Sequence, residues 1–204
     1  YHLGLYGGTE WGNLAFRGGL AYTWHDLFTS RTVSIPGLID RMSASYGAGT
    51  MQAFGELGYT IETGIARFEP FASLAHMGLK TDGFTEAGGA GALSGASQTS
   101  DVTFTTLGLR AEHQFTAGTM DGVLHGMVGW RHAMGDVSPQ STQRFSTGDP
   151  FTISGAPVAR DRAVIEAGLD LNLGAEANLD LSYTGQVSGQ AVEQGFKANL
   201  SVRF

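Results

Sequence analysis

Six histidines are the side chains of this sequence best suited to bind a metal ion or to transfer protons near neutral pH. A zinc protease would carry two of them in an HExxH motif on one face of a helix, and no pair has that spacing. Cysteine is absent from the 204 residues, so thiol catalysis and cysteine metal ligands are excluded for this chain. We expect strand or interface positions for the histidines and predict no metal site and no cofactor. The six are His2, His25, His76, His113, His125 and His132.

Paired carboxylates are the next candidates for chemistry, because one could act as a general acid and the other as a general base. Glu166 and Asp170 share one face of a strand-like segment, but a spacing of four residues separates their backbones by about 13 Å. No serine lies in a GxSxG motif, and the glycine-rich stretches lack the GK[ST] of a phosphate-binding loop. We therefore predict no catalytic residue and no enzymatic activity, and expect these carboxylates to pair with arginines instead.

Composition restricts the class of protein further. The formal net charge is −7 with 12 Lys and Arg, so a basic surface for nucleic acid is missing and we expect no nucleic-acid partner. No run of about 18 apolar residues is present, so the sequence predicts no transmembrane helix. Nor does it begin with the basic and apolar regions of a signal peptide. Glycine, with 31 residues, is roughly twice as frequent as usual.

Strands are the elements that must position any functional side chain. Apolar and polar residues alternate along most of the chain, which is the period of a β-strand with two different faces. In the segment that ends the sequence, FKANLSVRF, every second residue is apolar. About nine such segments are predicted. They cover residues 1–8, 13–27, 45–62, 65–80, 101–116, 121–135, 160–174, 177–188 and 195–204.

The connections between these segments alternate in length. Tight turns are predicted at one end of the strands and long loops, at 28–45, 80–100 and 136–160, at the other. That arrangement is typical of an up-and-down barrel in an outer membrane, whose strands need only about 10 residues to cross the bilayer. The fold prediction is thus all-β, an antiparallel up-and-down transmembrane β-barrel with about nine strands.

The apolar face of these strands should contact lipid, and the polar face should line a pore. Alternation alone also fits a soluble β-sandwich, in which the apolar face is buried. Segments of 13 to 18 residues exceed the usual soluble strand of about 5 to 6, and aromatic residues cluster near segment ends as in an interfacial girdle. The predicted pore-lining residues are Arg17, Glu56, Arg110, Arg131, Glu166, Asp170, Lys197 and Arg203.

Several stretches resemble the C-terminal translocator, or β-domain, of the type V secretion autotransporters of Gram-negative bacteria. They are YHLGLYGGTEWGNLAFRGGLAYTWHDL, FGELGY, FEPFASLAHM, TLGLR, GWRHAMGD and the terminal ANLSVRF. The resemblance implies a 12-stranded outer-membrane barrel with a helix through its pore and an exported N-terminal passenger. It also implies that the aromatic-ended last strand is the signal read during outer-membrane assembly. The residues expected to carry that signal are Phe196, Leu200, Val202 and Phe204.

By this resemblance the chain is a translocator that anchors in the outer membrane and forms the pore for export or surface display of a passenger. The implied partners are outer-membrane lipid, a covalently linked upstream passenger, the barrel assembly machinery and periplasmic chaperones. Because nine strands are fewer than 12, we expect residues 1–204 to be one β-domain that lacks roughly its first three strands.

Three alternatives stay open at this point. A porin-like or adhesin-type outer-membrane barrel would have no passenger, and its long loops would be the functional surface. The barrel could instead anchor a passenger esterase, whose catalytic motifs would lie upstream. A soluble β-sandwich is the third alternative, and it would partition into water without detergent.

Overall fold

The computed structural model of the protein describes residues 1–118, 120–174 and 177–202, with the backbone alone at Leu38. These ranges contain strands joined by turns and loops, and none of their residues forms a helix long and apolar enough to cross a membrane. The strands are β1 (His2–Trp11), β2 (Leu14–Ile35), β3 (Leu38–Tyr59), β4 (Ile61–Glu62), β5 (Arg67–Thr81), β6 (Phe84–Thr85), β7 (Leu93–Gly95), β8 (Gln98–Ala117), β9 (Met120–Gly135), β10 (Gln140–Phe145), β11 (Phe151–Ser154), β12 (Asp161–Asn172), β13 (Ala177–Ser188) and β14 (Val192–Val202).

The nine long strands form one antiparallel meander, in the order β1-β2-β3-β5-β8-β9-β12-β13-β14, and the short β4 adds to β5. Each long strand pairs with the long strand before it, so the predicted all-β, up-and-down topology is confirmed. The nine long strands also correspond to the nine alternating segments of the sequence. In the part of the chain that the structure describes, β1 and β14 each pair with one neighbour.

The prediction of a long loop at 28–45 was wrong. Strands β2 and β3 stay paired over 22 residues each, up to the pair Ile35↔Leu38, and form one long hairpin. Pro36 and Gly37 make its turn, and Gly37 has a φ of 88°, a left-handed conformation that glycine adopts without steric cost. Because polar residues interrupt the apolar alternation here, the sequence pattern reads as a loop although the backbone pairing continues.

The other two long loops contain short strands of their own. β6 and β7 from the first loop join β10 and β11 from the second in a four-stranded sheet, in the order β11-β10-β7-β6. This loop sheet lies at the end of the meander opposite the tight turns. Its strands have two to six residues, which is too short to give a reliable period in the sequence.

A partly buried ion pair fastens the loop between β5 and β8 to the β2–β3 hairpin. Arg31 Nη2 lies 2.6 Å from Glu86 Oε2, whose side chain is almost fully buried, and the backbone N–H of Leu93 donates to the same oxygen over 2.8 Å. These contacts, led by the Arg31 guanidinium, lower the pKa of Glu86 below its ordinary value. Ser43 and Ala87 add two backbone hydrogen bonds. The loop is therefore held against the hairpin by charge and by backbone pairing.

The meander has one apolar face, which is exposed. Side chains that are register partners share a face, and the row Leu124–Leu169–Leu181 is apolar across three strands. Leu107 on β8 is 54% exposed and Leu200 on β14 is 61% exposed. Large apolar side chains that face outward contradict a soluble sandwich, in which this face would be buried. We call this the outer face and the opposite one the inner face.

Candidate functional site: the inner face of the sheet

Four charged side chains from four strands meet on the inner face, near the tight turns. Arg17 of β2 contacts Glu69 of β5 through Nη1 and Oε1 over 2.8 Å, and Arg110 of β8 contacts Glu56 of β3 through Nη2 and Oε2 over 2.7 Å. Two further contacts, Arg110 to Glu69 at 2.7 Å and Arg17 to Glu56 at 3.0 Å, close the set. Strands β2 and β5 are not paired, so these contacts cross the intervening strand β3 on the concave side of the curled sheet.

We call Arg17, Glu56, Glu69 and Arg110 the inner charge cluster. Two positive and two negative groups make it formally neutral. The Glu69 side chain is 8% exposed and that of Glu56 13%, whereas the arginines keep 40% and 37% of their side chains in contact with solvent. Carboxylates of this kind are stable because each accepts hydrogen bonds from both guanidinium groups.

Two glycines make room for this cluster. Phe71 pairs in register with Gly58 on one side and Gly108 on the other, so its ring lies over backbone that has no side chains. A Cβ on Gly108 would lie 2.6 Å from the Phe71 ring, and one on Gly58 would lie 2.9 Å from Glu69. The Arg110 guanidinium carbon lies 3.8 Å from the ring centroid of Phe71, a cation–π contact. The strand glycines at these two positions therefore admit bulky side chains to a concave surface.

The geometry favours a rigid wall over catalysis. A general acid or base needs a free proton-accepting site that faces a substrate, and both cluster carboxylates are already occupied by guanidinium groups. Ion pairs that bridge β2, β3, β5 and β8 instead fix the curvature of this part of the sheet. Among the described residues, no group of three His, Cys, Asp or Glu could hold a metal ion.

A cavity of about 460 Å³ adjoins the cluster on the inner face. Glu166 of β12 lines it and is exposed there, without an ion pair to any described residue. The cavity reaches Thr184 of β13, so its lining extends over most of the meander. The concave side is accordingly a continuous polar surface and not a closed pocket for a small molecule.

The remaining predicted pore-lining residues lie apart from the cluster. Arg131 is part-buried on β9 and donates from Nε to Thr106 Oγ1 over 3.2 Å. Asp170 lies 3.5 Å from Nδ1 of His125, and Lys197 is exposed on β14 opposite Ser182. The structure thus brings together three of the eight predicted residues, Arg17, Glu56 and Arg110, and distributes Arg131, Glu166, Asp170 and Lys197 over the inner face. Arg203 lies outside the described residues.

Three of the residues predicted as an assembly signal are on β14. Phe196, Leu200 and Val202 pair with Tyr183, Leu179 and Ala177, which places all three on the outer face, and each is exposed. Phe204 lies outside the part of the chain that the structure describes.

Comparisons with known proteins agree on one family. The family model described as "Autotransporter beta-domain" matches residues 1–184. Two relatives described as "Extracellular serine protease", both from Serratia marcescens, are 39% identical over 205 and 204 residues, which is 100% of this chain and 20% of theirs. The chain thus spans about a fifth of the length of these relatives.

A solved structure carries the same fold. The translocator domain of the autotransporter NalP from Neisseria meningitidis aligns with a TM-score of 0.66 and 20% sequence identity, over 100% of this chain and 67% of that chain. This likeness confirms the prediction that the curled meander is the wall of a translocator-type β-barrel.

Proposed function

The chain belongs to the autotransporter β-domain family, and from this premise we propose that its inner face lines the route by which a passenger, linked upstream, reaches the cell surface. Membership of the family makes the chain an outer-membrane translocator domain of a Gram-negative bacterium. The identity and fate of the passenger belong to the proposal.

One observation carries the proposal: the two faces of the sheet are suited to different surroundings. The outer face presents exposed leucines such as Leu107 and Leu200, which match hydrocarbon. The inner face presents the inner charge cluster and a polar cavity, which match water and a polypeptide in transit. The ion pairs of the inner charge cluster balance the charges of that part of the lumen, so a passing chain meets no uncompensated charge there.

We extend the proposal to the other predicted sites. Arg131, Glu166, Asp170 and Lys197 line the same pore, together with Arg203. Residues 1–204 act as a single β-domain, with outer-membrane lipid around it and with the barrel assembly machinery and periplasmic chaperones as partners during insertion. The residues of the last strand that form the recognition signal are Phe196, Leu200, Val202 and Phe204.

The β-domain itself catalyses no reaction in this proposal, because the best-placed carboxylates, Glu56 and Glu69, are engaged by arginines. The relatives of known description are extracellular serine proteases about five times as long as this chain. That description favours a secreted protease as the passenger over an esterase, and the catalytic residues would then lie upstream of the β-domain.

Export can be tested with the full-length gene in a Gram-negative host. Protease added to intact cells should digest a tagged passenger when the β-domain is present, and removal of residues 1–204 should leave the passenger in the periplasm. A passenger that reaches the surface without these residues would contradict the proposal. A passenger-free porin would instead give steady solute flux in liposomes and no surface-exposed upstream polypeptide.

The assembly role of the last strand has its own test. Replacing Phe204 with Ser should lower the fraction of heat-modifiable, folded barrel in outer membranes, because the terminal aromatic is the proposed recognition feature. Arg203→Gln is the matched control, since it changes the adjacent residue and leaves the aromatic in place. Equal folded fractions in the two variants would refute the role of Phe204.

A further inference from the structure

Two arginines lie side by side on the inner face, at the end of the strands that is nearest the long loops. Arg131 of β9 and Arg162 of β12 are direct register partners, so their side chains project from neighbouring backbone positions on the same face. Like charges directly opposite one another destabilise an antiparallel pair. Such a pair is retained at a cost in stability unless an anion lies between or above the two groups.

Neutral groups hold both side chains in place. Arg131 donates to Thr106, whose side chain is buried, and Arg162 donates from Nη1 to Gln186 Oε1 over 3.0 Å and from Nη2 to the backbone oxygen of Ala159 over 3.4 Å. Nε of Arg162 is buried and has no hydrogen-bond partner among the described residues. The two guanidinium groups are thus oriented by hydrogen bonds to neutral groups.

No carboxylate of the described strands forms an ion pair with either arginine, although Glu166 attracts Arg131 from a longer distance. Glu166 lies four residues from Arg162 along β12, and Glu193 lines the same cavity as Arg162, but neither forms an ion pair with Arg131 or Arg162. The contrast with the inner charge cluster is direct, because there two carboxylates balance two arginines. Arg131 and Arg162 thus place two positive charges next to each other with no ion pair to a described residue, which suits them to bind an anion.

Space for a ligand group is present next to the pair. A cavity of about 410 Å³ is lined by Arg162, together with Phe104, Pro157 and Val158, and Arg131 is the register partner of Arg162. A carboxylate on a flexible side chain could enter this cavity and accept hydrogen bonds from a guanidinium group in the two-point geometry that arginine favours.

We propose that Arg131 and Arg162 form a carboxylate-binding site in the lumen, at the end nearest the long loops. An acidic side chain of the passenger segment retained in the pore occupies this site. The inference rests on the proposed function, because it requires a polypeptide in the lumen. A tethered carboxylate is favoured over a free one because tethering gives it an effective concentration in the millimolar range. The site would hold the exported chain in one register against the wall.

Charge reversal in the full-length protein tests this site. R131E/R162E should reduce protease-accessible passenger on intact cells by about tenfold, the effect of losing about 1.4 kcal/mol of binding, while the heat-modifiable barrel still forms. Single Asp→Lys and Glu→Lys changes along the passenger segment next to the β-domain are then combined with R131E/R162E. One of them should restore display by about the same factor, because it recreates the ion pair with the charges exchanged.

The matched control is K80E/R144E, which makes the same change of charge at two exposed positions, one on the outer face of β5 and one in the loop sheet, and should leave display unchanged. Normal display by R131E/R162E would overturn the proposal. Loss of display that no passenger reversal restores would overturn it as well, because a site that binds only free anions would give that result. A wild-type passenger that never reaches the surface would refute the proposed function instead.

A second pair of variants covers the case in which R131E/R162E does not fold. R131Q/R162Q removes both charges and keeps hydrogen-bonding groups, and each passenger carboxylate is changed to its amide. If the site is occupied as proposed, the loss of display on combining R131Q/R162Q with the correct amide change is smaller than the product of the separate losses. Independent, multiplicative losses for every carboxylate would overturn the proposal.

Discussion

Glu69 offers the sharpest test of the inner charge cluster, because both arginines of the cluster depend on it. It accepts hydrogen bonds from Arg17 at 2.8 and 3.1 Å and from Arg110 at 2.7 Å, and its side chain is 8% exposed. Glu69→Ala would leave two guanidinium groups within reach of one carboxylate, that of Glu56. The change should therefore destabilise the curled sheet and not merely remove one contact.

The magnitude follows from burial. Removing one partner of a fully buried ion pair costs about 3–5 kcal/mol. Arg17 and Arg110 keep 40% and 37% of their side chains exposed, and Glu56 still compensates part of their charge, so solvent screening reduces the cost. We expect a loss of about 2 kcal/mol in the free energy of unfolding. For a chain of this length that corresponds to a fall of about 4–8 °C in the unfolding temperature.

Heat modifiability on gels, followed against temperature in detergent micelles, would measure this shift. Glu166→Ala is the matched control, because Glu166 is an inner-face glutamate that is exposed and forms no ion pair with a described residue. The control should change stability by less than about 0.5 kcal/mol. Equal transition temperatures for Glu69→Ala and Glu166→Ala would refute the reasoning that the cluster stabilises the wall.

Three further predictions concern the lipid face, the loop ion pair and the strand glycines. Leu200→Arg should cost about 2–4 kcal/mol of barrel stability in lipid, whereas Asn199→Arg on the inner face should be tolerated, as denaturant titrations in vesicles would measure. Glu86 has a lowered pKa in the folded chain, so its stabilisation is full above about pH 4.5 and is lost as the pH falls through the lower folded-state pKa. Limited proteolysis of the long loops should therefore rise at acid pH in the wild type and be high and pH-independent in Glu86→Gln. Gly108→Ala should cost about 1–3 kcal/mol in the same titrations, because its Cβ would lie 2.6 Å from the Phe71 ring; unchanged stability would show that the ring moves freely.

Strand period made the meander and its two faces predictable. Alternation over ten or more residues fixes which side chains share a face, because a slip by one position would expose every polar group to lipid. Leu107, Leu109 and Arg110 accordingly lie on the faces that the sequence indicated. The order in which the strands pair could also be predicted from the sequence, since tight turns join successive antiparallel strands.

Contacts between strands that are not neighbours could not be predicted from the sequence. Glu69 was missed because it lies at the start of β5, where Pro70 and Phe71 interrupt the alternation and an aromatic residue occupies the polar face. Its partner Arg17 is 52 residues away, and the two meet only because the sheet places β2 and β5 on either side of β3. The glycine at position 108, which gives Phe71 its space, was the one signal that could have indicated an unusual packing site.

The hairpin at 28–45 was misread as a loop for a related reason. Backbone pairing in the β2–β3 hairpin continues past the last alternating residues, and the Pro36–Gly37 turn was the local signal for it. The loop sheet depends on pairing between β7 and β10, which are about 50 residues apart in sequence. Such pairing leaves no local periodic trace.

We infer that the apolar face of the meander contacts lipid and that the polar face lines a water-filled lumen. Spin labels placed one at a time from Thr105 to Ala111 on β8 of the membrane-inserted full-length protein would test it directly. The rates at which lipid-dissolved oxygen collides with the spin labels should alternate with period two. They should peak at Leu107 and Leu109 and be lowest at Thr106, Gly108 and Arg110. Maxima at Thr106, Gly108 and Arg110, or no alternation at all, would contradict it.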